Sequence, residues 1–286
     1  MNPGMETLFH DAVIPGSGWP GDPASETTPV TPLAGSVSEL ANSSPDLQEL
    51  SARVSVCRAC PRLVAWREEV AQTKRKAYAN ETYWGRPAPG FGDDEAGLAI
   101  VGLAPAAHGA NRTGRVFTGD RTGDFLTAAL ARAGFANQST STHAGDGLEL
   151  VGARLLSAVR CAPPKNLPTP AEQATCAPWL DRELVLVSPV VILALGGIGW
   201  KATCAALARA GWALPRPRPK FGHGAEFVAT RGVPEPGGTG RGWARIAVVG
   251  CYHPSQQNTF TGKLTGEMMD AVLSRCRALV KGEGDY

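Results

Sequence analysis

The sequence predicts an α/β fold, three layers (α/β/α) around a central, mainly parallel sheet of four strands. Three observations predict it. Short apolar runs recur at Leu98–Gly102, Ala153–Arg160, Val190–Leu195 and Arg245–Cys251. Segments of helical periodicity alternate with them. The runs are apolar along their length rather than at every second residue, as expected for parallel strands covered on both faces.

The elements follow in order. Residues 1–45 are rich in Pro, Gly, Ser and Thr and lack apolar periodicity, so they are expected to be a disordered acidic tail. The globular domain is expected to fill residues 46–286. Helices are expected at Pro45–Ser55 and at Pro61–Lys76, the latter with Leu63, Trp66 and Val70 on one face. Tyr83–Gly92 (YWGRPAPGFG) holds too many prolines and glycines for a regular element and is expected to be an ordered loop. Further helices are expected at Gly123–Gly134, stopped by glycine, and at Thr169–Val187, opened by a threonine cap with proline in first position. Gly197–Ala210 and Thr265–Val280 complete the set. Residues 214–243 form a Pro/Arg/Gly-rich insertion with a hairpin around Ala225–Thr230.

Charge and composition narrow the function. All 28 Lys and Arg lie beyond residue 50, whereas seven of the 26 acids precede it, so the body is basic and suited to a polyanionic partner. No apolar run approaches the ~18–20 residues of a membrane span, and there is no secretory signal at the N-terminus. The expectation is a cytoplasmic, nucleoid-associated monomer with no membrane partner. In that compartment the seven cysteines are expected to be thiols or metal ligands rather than disulfides. Cys57 and Cys60 form a CxxC, and fourteen residues separate Cys161 from Cys176. Four thiolates suit a [4Fe–4S] cluster or a zinc ion, although a gap of a hundred residues between the pairs is unlike a local zinc finger. Cys204, Cys251 and Cys276 fall on apolar faces and read as core.

Two loops stand beyond the carboxyl ends of strands, where open α/β sheets bind ligands. They are Gly102–Asp120 (GLAPAAHGANRTGRVFTGD) and His253–Gly262 (HPSQQNTFTG). Small residues such as Gly102 and Ala104 admit a flat ligand close to backbone. Phe117 offers a ring for stacking, and His253 a hydrogen bond to an oxygen that gains negative charge.

These two loops resemble the signature motifs of the family 5 uracil-DNA glycosylases, the UDGb branch of the uracil-DNA glycosylase superfamily. The resemblance also takes in YWGRPAPGFG, AVRCAPPKNLPTPAE at 158–172 and the cysteine spacing, over roughly residues 55–280. It implies excision of uracil, and of hypoxanthine and xanthine, from DNA. It implies a [4Fe–4S] cluster on Cys57, Cys60, Cys161 and Cys176, with zinc the runner-up. Related families place an acid or amide right after the first-motif glycine, whereas Leu103 stands here, which leaves Asp120 as the best replacement and Asn166 as a second candidate for water or substrate. Stricter relatives read the base with an asparagine at a strand end, where Ser157 now falls, implying a looser pocket. His108 and Asn111 are candidates for lining the pocket or bracing its loop. Ser255, Gln256, Gln257 and Asn258 are candidates for entering the minor groove or filling the gap left by a flipped nucleotide. Arg112 and Arg115 are candidates for phosphate contact or for bracing the first loop.

Two other readings are open at this level. One is a non-catalytic or covalent uracil-DNA-binding protein on the same fold, which a denaturation-stable protein–DNA adduct would reveal. The other is an iron–sulfur redox protein, for which no flavin or nicotinamide fingerprint is found.

Overall fold

The structure, a computed structural model, describes residues 3–9, 11–234 and 241–283. Its sheet has six strands: β1 Phe91–Gly92, β2 Leu98–Gly102, β3 Ala153–Ser157, β4 Val191–Leu195, β5 Glu226–Pro234 and β6 Arg241–Cys251. The spatial order is β1-β3-β2-β4-β6-β5. The four central strands run parallel, and β1 and β5 add antiparallel edges. The expected four-stranded sheet is thereby corrected to six. Two residues of β1 are too few to carry a pattern, and the hairpin expected around Ala225–Thr230 is instead the first half of β5, which pairs antiparallel with β6. Residues 235–240 of the 214–243 insertion lie outside the described residues.

The helices are α1 Pro3–Leu8, α2 Val37–Asn42, α3 Leu47–Ser55, α4 Pro61–Thr73, α5 Ala110–Thr113, α6 Arg121–Arg132, α7 Pro170–Val187, α8 Gly196–Arg209, α9 Gln256–Phe260 and α10 Gly266–Val280. Alternation along each strand sends side chains to both layers. Leu98, Ile100, Leu155, Leu193 and Val249 pack with Leu126 and Leu130 of α6 and Val272 and Leu273 of α10. Ala99, Val101, Ile192, Ala194 and Val248 face the other way, onto Trp200, Cys204 and Leu207 of α8 and Leu180 of α7. Caps fix the helix starts: the Thr169 hydroxyl and Glu172 form a capping box on α7, and Asp120 caps α6. No helix among the described residues is long and apolar enough to cross a membrane.

The expected disordered tail is also corrected. Phe9 is fully buried, with the guanidinium groups of Arg58 and Arg86 over its ring. The Val13 amide donates to the Trp84 carbonyl at 3.0 Å, and the Arg58 amide to the Thr31 carbonyl at 2.8 Å. Asp22 receives two bonds of 2.8 Å from the buried Arg86 guanidinium. Burying a Phe side chain contributes about 1.5–3 kcal/mol, so a few widely spaced anchors hold a segment whose average composition reads as disordered.

Candidate active site

The segments that follow β2, β3 and β6 and the start of α6 surround a cleft of about 770 Å³. In-register pairing sets Gly102 beside Ser157, which lines it. Ser157 is buried and reaches the cleft wall, as do Leu103 and Ala104. The first loop then folds back through α5 and delivers Phe117 and Asp120 to the same cleft, and the turn after β6 delivers His253. The Phe117 and His253 rings lie 6.4 Å apart, inclined by 35°.

Close approach and strain are concentrated here. Phe117 holds a left-handed backbone, φ 51°, an uncommon state for a residue with a side chain. A Cβ on Gly102 would stand 2.6 Å from the Phe117 ring, so glycine at the strand end admits the aromatic. A Cβ on Gly109 would strike the Asp120 carboxylate. Lys165 and Asn166, at the rim, are both left-handed, φ 56° and 55°.

Electrostatics separate the two main polar groups. Burial pushes the Asp120 carboxyl above its ordinary range, against hydrogen bonds from the Gly123 and Thr122 amides. Its Oδ1 accepts from the Gly123 amide at 2.9 Å. Burial pulls the His253 imidazole down to about 4, so it is neutral near pH 7. The neutral ring keeps one N–H to donate. The His253 carbonyl accepts from Asn258 Nδ2 at 2.9 Å, which fixes the turn.

His108 lines the cleft, with Nδ1 3.1 Å from the Tyr83 hydroxyl. Ser255, Gln256 and Gln257 also line it, and both glutamines are exposed. Four expected ligand or DNA contacts are corrected, and Asn111, Arg112 and Arg115 take the other expected role of bracing the loop. Asn111 is fully buried and donates to the Arg67 carbonyl at 3.1 Å, so it ties the loop to α4 and does not face the cleft. Asn258 braces His253 and is not among the cleft's lining. Arg112 is buried and donates to the carbonyls of His108 (2.9 Å) and Gly119 (2.7 Å) and to Glu81. Arg115 is buried against Asp146 (2.8 Å), Ser141 (3.1 Å) and Thr118 (2.9 Å). Both guanidinium groups are spent on the loop and are not presented to a phosphate. Sequence reasoning missed Arg75, Arg121 and Lys165, exposed cations that do line the cleft. Their adjacency to Asp120 and Asn166 was the available signal for the last two.

Comparison with known proteins agrees with this geometry. A family model described as "Uracil DNA glycosylase superfamily" matches residues 89–277. The chain belongs to the uracil-DNA glycosylase superfamily. It is 53% identical over 98% of both chains to a Type-5 uracil-DNA glycosylase of Mycobacterium tuberculosis. It is 48% identical to the Type-5 enzyme of Thermus thermophilus, over 79% of this chain and 94% of the relative. A Type-4 uracil-DNA glycosylase of Thermotoga maritima matches at 29% over 52% of this chain and 62% of its own.

This superfamily member carries a second notable site behind the cleft. Cys57, Cys60, Cys161 and Cys176 line one small pocket with Val37, Leu63, Val159 and Trp179. Ala104 packs against this apolar cluster while also lining the cleft, so the two sites share a wall. Among the described residues no group of three or more His, Cys, Asp or Glu side chains closes into a site for a metal ion. Burial, with the neighbouring thiols, pushes Cys57 up to about 11 and Cys60 up to about 12, and raises Cys176 further. Two buried arginines face the thiols. Arg67 Nη1 donates to Cys161 Sγ at 2.9 Å and to the Cys57 carbonyl at 3.0 Å, while its Nε and Nη2 have no hydrogen-bond partner. The Arg160 amide donates to Cys176 Sγ at 3.3 Å, and its guanidinium, 2.6 Å from Glu183, makes no aligned hydrogen bond. Cys204, Cys251 and Cys276 are buried in the two sheet-covering cores, apart from this pocket.

Proposed function

We propose that this chain hydrolyses the N-glycosidic bond of uracil in DNA and leaves an abasic site, with Phe117, Asp120 and His253 as its working residues. The observation that carries the reading is the convergence of the first loop's Phe117 and Asp120 with the second loop's His253 in one cleft. A base within a duplex must first be extruded, at a cost of a few kcal/mol. Stacking on Phe117 offsets part of that cost. As the C1′–N1 bond breaks, its electron pair passes to the base and the sugar becomes oxocarbenium-like. Neutral His253 donates its N–H to the base oxygen that gains charge. Ionised Asp120 stabilises the cation and orients the water that adds to C1′, and the proton released by that water goes to solvent or to the departing base. Asn166 contacts substrate or water from the rim.

At the strand ends the wall of the cleft is Ala104 and Ser157, small residues with no side-chain amide at the Ser157 position to demand one base edge. A wall this small favours a broad range: uracil, hypoxanthine and xanthine. Exposed Arg75, Arg121 and Lys165 take the phosphate contacts, and Gln256 and Gln257 face the groove. DNA is the partner.

We further propose that Cys57, Cys60, Cys161 and Cys176 hold a [4Fe–4S] cluster. The fit rests on four thiols on one pocket and on the buried Arg67 guanidinium, which bonds Cys161 and keeps two donors without a hydrogen bond, an arrangement that favours negative charge. Such a cluster, when bound, supplies structural cross-linking and charge and takes no part in bond cleavage. A single zinc ion on the same four thiols is the second reading.

The test is to incubate the protein with duplexes holding one uracil or one hypoxanthine and to score alkali-labile abasic sites. Strand scission at uracil is expected, and its absence overturns the function. Scission at hypoxanthine tests the broad range separately.

A further inference from the structure

The loop that opens at Tyr83 acts on the cleft through a neighbour. Tyr83 is 2% exposed and does not line the cleft, yet its hydroxyl lies 3.1 Å from Nδ1 of His108, which does. The two rings meet edge to face, 6.1 Å apart at 82°. The same hydroxyl oxygen accepts from the Arg75 amide at 3.4 Å. Beside this contact the two loops are pinned backbone to backbone. The Trp84 amide donates to the Arg112 carbonyl and the Gly85 amide to the Asn111 carbonyl, both at 3.0 Å.

These contacts decide which nitrogen of His108 carries the proton. The Arg75 amide can only donate, so the Tyr83 oxygen is an acceptor on that side. If Nδ1 also carried a proton, the oxygen would accept twice and the buried hydroxyl proton would be left without an acceptor, which is costly. The Tyr83 proton therefore goes to Nδ1, and the neutral imidazole carries its own proton on Nε2. Burial, with Arg75 and Arg112 nearby, pulls the ring's pKa below its ordinary value, which keeps it neutral near pH 7. With Nδ1 turned to the buried hydroxyl, Nε2–H is the polar group that His108 has left to offer the cleft.

We propose that His108 is a specificity-determining residue whose Nε2–H donates to the keto oxygen that deamination creates on the base, and that Tyr83 is the positioning residue that fixes this proton. The inference rests on the excision reading above and names how the cleft tells a deaminated base from its parent. Hydrolytic deamination replaces an exocyclic amino group, a donor, by a keto oxygen, an acceptor. Cytosine becomes uracil and adenine becomes hypoxanthine, with the change at corresponding places on the pairing edge. A donor held in the cleft matches both products. Against either parent it meets a second donor, and both are left unpaired. One fixed N–H thus selects the class without selecting a member, in a cleft whose strand-end wall is only Ala104 and Ser157. His253 serves a different oxygen, the one that gains charge as the glycosidic bond breaks.

The experiment uses duplexes holding one 2′-fluoroarabino nucleotide, which resists hydrolysis, with either uracil or 2-pyrimidinone as its base. The second base lacks the C4 oxygen. Fluorescence anisotropy gives Kd for the unaltered protein, His108→Ala and His108→Gln. The unaltered protein is expected to bind the uracil duplex about tenfold more tightly, the size of one hydrogen bond. His108→Ala is expected to bring the ratio close to unity, and His108→Gln, whose amide keeps a donor, to retain most of it. Nitrogen-15 chemical shifts of His108 give a second readout. They are expected to report the Nε2–H tautomer in the unaltered protein and a mixture of tautomers in Tyr83→Phe, which a packing role for Tyr83 would not produce. Equal binding of the two duplexes by the unaltered protein, an unchanged ratio in His108→Ala, or an Nδ1–H tautomer would overturn the proposal. If the unaltered protein releases no uracil from an unmodified duplex, the excision reading fails instead, so the two failures are distinguishable.

Discussion

The cleft and the cysteine pocket share a wall at Ala104, yet they treat buried arginine in opposite ways. Under the cleft, Arg112 and Arg115 are buried with their donors engaged by carbonyls, hydroxyls, Glu81 and Asp146. Beside the cysteines, Arg67 bonds Cys161 and the Cys57 carbonyl and Arg160 pairs with Glu183, yet both keep donors without an aligned hydrogen bond. A buried donor without a hydrogen bond is costly. The first region is complete as it stands, and the second is the one for which an anionic cofactor is proposed.

The comparison breaks most visibly through paired substitutions. Arg115→Met leaves Asp146 buried without its partner. Burial alone would raise that carboxyl, but the Leu148 and Thr142 amides and Arg115 bring it down to about 2. Removing one member of such a pair costs about 3–5 kcal/mol, to be read as a shift in the urea unfolding midpoint. His253→Ala is expected to lower kcat by about 10²–10³, the range for loss of one oxyanion donor, with the unfolding midpoint little changed. Arg67→Met is expected to do the reverse of Arg115→Met. In iron-free protein it changes stability by less than about 1 kcal/mol or stabilises, while iron and acid-labile sulfide per chain fall sharply after reconstitution. Loss of stability in iron-free Arg67→Met equal to that in Arg115→Met would erase the contrast.

Smaller effects sharpen the cleft's own chemistry. Gly109→Ala pushes a methyl into the Asp120 carboxylate and is expected to lower kcat about tenfold, since misplacement by about 1 Å has costs of this order or larger. In the pH profile of kcat/KM, the acidic limb belongs to Asp120. Burial raises its pKa, so its ionised form is lost as pH falls while still above the usual carboxylate value. His253 is already neutral above about 4 and contributes no inflection between pH 6 and 8. An inflection near 6.5 that disappears in His253→Asn would contradict this.

Much of this was legible in the chain. The four parallel strands were marked by short, mostly apolar runs, and helix α7 by its Thr169 cap and Pro170. Phe117, Asp120 and His253 were placed by two dense polar loops at strand ends and Ser157 by the family resemblance, and the structure brings them to one cleft. Other features depend on contacts remote in sequence. The N-terminal segment is held by Phe9 and Asp22, whose partners lie more than sixty residues away at Arg86. Arg112 and Arg115 carry the charge expected of phosphate ligands, and their burial follows from how the loop closes over them.

The central claim is uracil excision by this cleft, and the most direct measurement is release of free uracil from a labelled duplex by the unaltered protein, by Asp120→Ala and by His253→Ala. The account predicts stoichiometric appearance of uracil and abasic sites with the unaltered protein, and rates lowered by about 10² or more in each variant. Uracil release at an undiminished rate in both variants would contradict it.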